Sequence, residues 1–156
     1  MIIKREVFEK IVAQAREELP AESCGYLLGN DNTVTENYRM TNADHSPEHF
    51  SFIPKEQFAA VKYARNNGLN VLANWHSHPS SPSRPSQEDI RLANDPNILY
   101  LILSLAEAEP VLNAFRIAKG NVEREELRIK NCCANREKSQ ARLSYPEVQP
   151  AIDEVN

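Results

Sequence analysis

The chain is poor in cysteine and has no long apolar run. Its 156 residues contain three cysteines, an odd number that cannot pair fully within the chain. The adjacent Cys132 and Cys133 would form a strained bridge and lack the Cys-x-x-Cys spacing of zinc knuckles, so we expect reduced thiols. The longest apolar run, Ile98 to Leu103, has the length of a strand, far below the roughly 20 residues of a membrane span.

The chain also lacks an excess of positive charge. Its net charge is −4 and its pI about 5.6, so it offers no basic face for a phosphate backbone, and we expect no nucleic-acid partner. The segment Met1 to Glu6 already contains three charged residues and has no apolar run of signal-peptide length. These features predict a cytoplasmic protein without a membrane segment.

Composition and periodicity predict one α/β (α+β) domain around a single sheet. The hydrophobic fraction of 41% and charged fraction of 26% are typical of soluble globular proteins, and the length suits one domain. We expect this domain in residues 1–130 and a polar C-terminal tail in residues 131–156. Apolar spacing and breakers predict helices over 5–19, from Pro54 to Gly68 and near 87–94, and about six strands over 23–29, 33–40, 70–77, 98–105, 111–118 and 122–129.

The most distinctive motif is His76-Ser77-His78, at the end of a predicted strand. Residues two apart in a strand project from the same face, so both imidazoles lie together, with Cα atoms roughly 6.6 Å apart at ~3.3 Å per residue. Two imidazoles at this spacing can converge on one zinc ion. Structural zinc sites are normally closed by four side chains, whereas catalytic sites leave one position to water.

A carboxylate follows eleven positions after the second histidine. Ser86 fits the N-cap of a helix with Asp89 at its third position, which fixes the direction of the carboxylate. The segment 79–85 contains three prolines and limits where this helix lies. Taken singly, a histidine or a Ser-x-x-Asp capping box is an ordinary structural feature. Together they predict a catalytic metal site with three protein ligands, His76, His78 and Asp89.

This pattern resembles the motif of the JAMM (MPN-plus) metalloproteases. His76-Ser77-His78, seven residues, Ser86, two residues and Asp89 match it at every position, and Glu22 opens an apolar, glycine-containing strand as the motif requires. The resemblance covers about residues 5 to 129. It implies the JAMM/MPN (cytidine-deaminase-like) fold, a single mixed sheet flanked by helices.

Carried over residue by residue, the resemblance implies the roles of the site. His76, His78 and Asp89 would bind one zinc ion per chain, although iron or manganese could also occupy such a site. Glu22 would hold the attacking water, act as general base and pass the proton to the leaving amine. Ser86 would hydrogen-bond the oxyanion of the tetrahedral intermediate.

Four side chains near these motifs have simpler interpretations. Without the histidines, Glu22 would be a solvated loop charge, because it follows Pro20-Ala21. Cys24 shares a strand face with Glu22, but buried unpaired cysteines are commonly inert, so we expect a structural role. His45 and His49 lack metal-ligand spacing, and we interpret them as loop residues that contact substrate.

Residues 42–50 are similar to a segment of the small bacterial branch of the family. That branch implies a ubiquitin-like sulfur-carrier protein as substrate, from whose C-terminus an amide-linked amino acid, peptide or other extension is removed. One alternative is a non-catalytic MPN scaffold, but such members typically lack these ligands. Another is a RadC-like DNA-associated protein, which carries Asn where this chain has Ser77. A homodimer through a strand edge or the tail 131–156 is left open.

Overall fold

A mixed eight-stranded sheet forms the centre of this computed structural model, which describes residues 1–131. The strands are β1 (Ile2–Lys4), β2 (Cys24–Asn30), β3 (Thr33–Met40), β4 (Asn70–His78), β5 (Leu99–Ser104), β6 (Val111–Ala118), β7 (Asn121–Glu125) and β8 (Arg128–Lys130). Their order across the sheet is β7-β6-β5-β4-β2-β3-β1-β8. β4 runs parallel to β5, and β1 runs parallel to both β3 and β8, whereas the other neighbours are antiparallel.

One face of the sheet packs against the first helix, α1 (Arg5–Glu17). Its buried side chains recur at helical spacing and form one apolar stripe, as the sequence predicts. They share a core with residues from β2, β4, β5 and β6, among them Trp75, which is fully buried. The helix-side residues of the core are Val7, Ile11, Val12 and Ala15.

The opposite face carries α2 (Pro54–Asn66) and α3 (Gln87–Leu92). Pro54 stands at the start of α2, where its missing N–H costs nothing, as the sequence predicts. The apolar residues of α2 lie partly in the core and partly at the surface, because Ala60 and Ala64 are buried whereas Phe58 is 77% exposed. α3 packs through Ile90 against Tyr100 and Ile102 of β5 and their neighbours. His76 and His78 of β4 also lie on this face.

The structure has two more strands than the roughly six expected. β1 pairs with β3 and β8 through only a few residues. A strand of this length is too short to show the alternation of apolar and polar residues that identifies a strand in a sequence. The last predicted strand, 122–129, is divided into β7 and β8. The predicted tail, 131–156, lies outside the described residues except for Asn131. No helix within residues 1–131 has the length and apolar character needed to cross a membrane.

Candidate active site

Strand β4 directs its two histidines to the face that carries α2 and α3. Ser77, between them, points to the other face, where its Oγ accepts a hydrogen bond from the Ser23 N–H at 2.8 Å. The Ser77 N–H donates in turn to the Ser23 carbonyl at 2.9 Å. This pair holds the segment after Glu22 against β4, so the small size of Ser77 brings a distant part of the chain to the histidines.

His76, His78 and Asp89 form a compact triangle of ligand atoms. The two Nε2 atoms are 3.0 Å apart, and the Asp89 oxygens lie 3.3 Å from His76 Nε2 and 3.5 Å from His78 Nε2. In a tetrahedral zinc site with bonds of about 2.0–2.1 Å, neighbouring ligand atoms are about 3.3 Å apart. The donor set and its spacing therefore fit a metal ion bound by three protein ligands.

Both imidazoles are held in place by contacts away from Nε2. His78 Nδ1 lies 2.8 Å from the Pro82 carbonyl, an acceptor, so Nδ1 carries the proton and Nε2 keeps its lone pair. The Phe50 ring stacks on His76 with centroids 4.5 Å apart and an interplanar angle of 24°. Both histidines are buried, which fixes their positions further.

Asp89 is aimed at the histidines by the capping box at the start of α3. Ser86 Oγ accepts from the Asp89 N–H at 3.1 Å, and the Ser86 N–H donates to Asp89 Oδ2 at 2.7 Å. Burial opposes ionisation of the carboxyl, but the neighbouring imidazoles of His76 and His78 outweigh it and hold the pKa of Asp89 well below its usual range. Asp89 is therefore an anion at neutral pH, as a metal ligand must be.

Glu22 is buried beside this triangle and is held through its backbone. Its N–H donates to the Ser46 carbonyl at 2.8 Å, and its carbonyl accepts from Asn42 Nδ2 at 3.1 Å. The same Asn42 amide donates to the His49 carbonyl at 3.1 Å, and its Oδ1 accepts from two further backbone N–H groups of the loop. The loop that follows β3 therefore positions Glu22.

Burial raises the pKa of Glu22 to about 8 in the metal-free protein. A positive charge on His78 opposes this shift, and the negative charge of Asp89 adds to it. A buried carboxyl holds a proton more readily than an exposed one, which suits a group that accepts a proton and later releases it.

We predict that the metal-free protein loses stability as pH rises from about 5 to about 8. A carboxyl whose folded pKa lies above its unfolded value near 4.5 binds more protons in the folded state, so the free energy of unfolding falls with pH across this window. Glu22→Gln removes this dependence. In chemical denaturation, the free energy of unfolding of the variant should rise relative to that of the wild type by roughly 2 kcal/mol between pH 5 and 8.

The other titrating groups are common to both proteins, so the difference between their pH profiles reports Glu22 together with its interaction with His78. The lowered pKa of Asp89 affects stability only below about pH 5, where its contribution is lost as pH falls. The raised pKa of His78 adds stability that is lost as pH rises, and this contribution is smaller in the variant because the negative charge of Glu22 is one cause of the shift. Parallel pH profiles of the two proteins would contradict a raised pKa at Glu22.

A cavity of about 440 Å³ opens beside His76. It extends along the same face of β4 and is lined by aromatic rings, among them Tyr26, Phe52 and Tyr100. The Asn74 side chain lies on its wall, and its Oδ1 is buried without a hydrogen-bond partner among residues 1–131. The triangle of His76, His78 and Asp89 therefore borders a concave and mostly apolar surface, as small-molecule sites usually do.

The five residues predicted for the site lie close in space, since Glu22 interacts with His78 and Asp89, and Ser86 caps the helix of Asp89. Cys24 lies beside His76 but packs against Met40 and Ala60. Burial raises the pKa of its thiol to about 12, so it stays neutral.

Of the loop histidines, His49 lines the cavity, and its Nδ1 lies 3.1 Å from Asp44 Oδ2. Sequence reasoning missed Asn42 and Phe50, although both belong to the segment 42–50 that resembles the bacterial branch. It also missed Pro82, whose contribution is a backbone carbonyl. Such an acceptor leaves no signal in a sequence.

Comparison with known proteins finds relatives that match most of the described chain. A CysO-cysteine peptidase of Mycobacterium tuberculosis is 27% identical over 132 residues, covering 83% of this chain and 90% of that protein. A desampylase of Haloferax volcanii is 32% identical over 103 residues, covering 62% and 74%. The solution structure of a protein from Desulfitobacterium hafniense is 48% identical, has a TM-score of 0.78 and covers 84% of this chain and 94% of its own.

The sequence model of the family described as prokaryotic homologues of the JAB domain matches residues 4–118, well over half of the chain. Glu22, the histidine motif, Ser86 and Asp89 all lie within the matched span. It confirms the resemblance given by the motif and the mixed α+β fold that the resemblance implied. The chain belongs to this family, the prokaryotic branch of the JAMM metallopeptidases.

Proposed function

We propose that this chain is a zinc-dependent peptidase that hydrolyses an amide at the C-terminus of a ubiquitin-like sulfur-carrier protein. The observation that carries the proposal is the triangle of His76 Nε2, His78 Nε2 and an Asp89 oxygen next to the buried carboxyl of Glu22. Two imidazoles and a carboxylate with one open position are typical of hydrolytic zinc sites. A zinc ion held there supplies a Lewis acid that makes water nucleophilic near neutral pH.

Glu22 is the proposed general base. Its carboxyl lies within the electrostatic reach of His78 and Asp89, and its own oxygens have no hydrogen-bond partner among residues 1–131. It is therefore free to accept the proton of the attacking water and to pass it to the amine that leaves.

Ser86 is the proposed donor to the oxyanion. Its Oγ accepts from the Asp89 N–H, so the hydroxyl hydrogen remains available to donate. Ser86 is exposed, and a substrate carbonyl can approach it from solvent. Such a hydrogen bond forms only as negative charge develops on the carbonyl oxygen. It therefore lowers the free energy of the transition state and not that of the bound substrate, so the reaction is faster.

The substrate class is supported by the relatives. Their names, CysO-cysteine peptidase and desampylase, describe cleavage of a small carrier or modifier protein from what it is joined to. The aromatic cavity lies beside His76, so the extended terminus of a substrate protein could bind along its apolar surface and reach the triangle of ligand atoms.

We place the catalytic domain in residues 1–130, because the family match ends at 118 and β8 ends at Lys130.

The test is cleavage of a carrier protein from the same organism that bears one extra amino acid on its C-terminal carboxyl. We expect the zinc-loaded chain to remove that residue with multiple turnovers, and a chelator to stop the reaction. Intact-protein mass spectrometry reads the product directly. If the zinc-loaded chain left the extension intact on every such carrier that the organism encodes, the substrate class would be wrong, and a scaffold role would become the better interpretation.

A further inference from the structure

The segment 79–85, between β4 and α3, has no helix or strand, yet side chains of the sheet hold it firmly. Ser104 Oγ donates to the Ser81 carbonyl at 2.7 Å, and Asn113 Nδ2 donates to the Ser83 carbonyl at 3.1 Å. Ser83 Oγ donates to the Ile102 carbonyl at 2.6 Å. Three hydrogen bonds from or to β5 and β6 therefore fix residues 81–83 on both sides of Pro82.

The fixed group in the middle is the Pro82 carbonyl. It accepts from His78 Nδ1 at 2.8 Å and from the Arg84 N–H at 2.9 Å. A proline ring fixes φ but leaves the direction of its own carbonyl to ψ, so the prolines of this segment do not aim this oxygen. The hydrogen bonds of Ser83 aim it, because the Pro82 carbonyl belongs to the peptide group that joins Pro82 to Ser83.

The hydrogen-bonded chain continues to the edge of the sheet. Arg124 of β7 donates to Asn113 Oδ1 at 2.6 Å. A guanidinium can only donate, so the Asn113 oxygen must face Arg124 and the NH₂ group must face the Ser83 carbonyl. Ser83 and Ser104 are buried, where water cannot easily replace a lost hydrogen bond.

We propose that Ser83, Ser104 and Asn113 are positioning residues of the metal centre. They hold segment 81–83 so that the Pro82 carbonyl keeps the proton on His78 Nδ1 and presents Nε2 to the metal. A metal-binding histidine whose second nitrogen is hydrogen-bonded is fixed in both tautomer and ring orientation, and loss of such a partner typically weakens metal binding 10–100-fold. This inference rests on the proposed metal site, but it does not depend on the substrate.

Zinc affinity provides the first test. We expect Ser83→Ala to raise the zinc dissociation constant about 10-fold, and Ser83→Ala with Asn113→Ala to raise it towards 100-fold. Asn30→Ala is the matched control, because Asn30 Nδ2 donates to the Gly68 carbonyl at 2.8 Å, away from the site. Its zinc affinity should equal that of the wild type. Competition with a chromophoric chelator measures all four proteins, and thermal unfolding of the metal-free forms shows whether each is folded.

The tautomer of His78 in the metal-free protein provides a second test. Nitrogen-15 NMR at a pH where His78 is neutral should find the proton on Nδ1 in the wild type and a mixture of tautomers in Ser83→Ala. The single variant Asn113→Ala, at a less buried position, supplies the same comparison if the double variant does not fold. Zinc affinity within about twofold of wild type and an unchanged tautomer would overturn this inference alone. A wild-type chain that binds no zinc would overturn the metal site as well.

Discussion

Glu22→Gln is expected to lower kcat by about 10²-fold to 10⁴-fold while the protein keeps its zinc. Glutamine has nearly the shape of glutamate but cannot accept a proton from water. Glu22 lies outside the triangle of ligand atoms, and its backbone contacts to Asn42 and Ser46 do not involve the carboxyl. The variant should therefore bind metal and substrate almost normally. Carrier cleavage by mass spectrometry and zinc content by elemental analysis measure the two properties separately.

The matched control for this variant is Glu48→Gln. Glu48 is an exposed acidic residue whose negative charge also acts on Glu22, but it is not proposed to transfer protons. A change of less than about threefold in kcat is expected there, because an exposed charge is screened by solvent. Normal turnover in Glu22→Gln would remove Glu22 as the base, and loss of zinc in that variant would instead make it a metal ligand.

His78→Ala is expected to weaken zinc binding by more than about 100-fold. Loss of a residue that only hydrogen-bonds to a metal ligand weakens metal binding by up to roughly 100-fold, and loss of the ligand itself should cost more. The change removes one of three ligands and leaves the Asp89 carboxylate without one of its two imidazole partners. Turnover should fall below detection at zinc concentrations that saturate the wild type. Chelator competition gives the affinity.

His45→Ala is the corresponding control for a histidine of the site's loop. His45 is exposed and lies outside the ligand triangle, so its replacement should leave zinc affinity unchanged. Equal affinity in His78→Ala and the wild type would show that the metal is bound elsewhere or through other residues.

Local patterns in the sequence predicted the metal-ligand triangle. The period of two in a strand puts His76 and His78 on one face, and the capping box aims Asp89 from the first turn of α3. Both rules act over a few residues and need no knowledge of the fold. The meeting of the two elements was supported only by the stiffness of segment 79–85 and by the family resemblance.

Glu22 could not be predicted from local pattern, and its proposed role came from the resemblance alone. Its backbone is held by Asn42 and Ser46, about twenty residues away, and by the pairing of Ser23 with Ser77. Such contacts depend on the tertiary fold, which periodicity does not encode. The short strand β1 was missed for a similar reason, since it exists through its pairing with β3 and β8.

Elemental analysis of the wild-type protein, purified without chelator beside His78→Ala, decides whether this chain carries a catalytic zinc centre. We predict about one zinc ion per wild-type chain and little or none in the variant. A wild-type protein that remains free of metal after zinc is offered would contradict the peptidase mechanism proposed for Glu22, His76, His78 and Asp89.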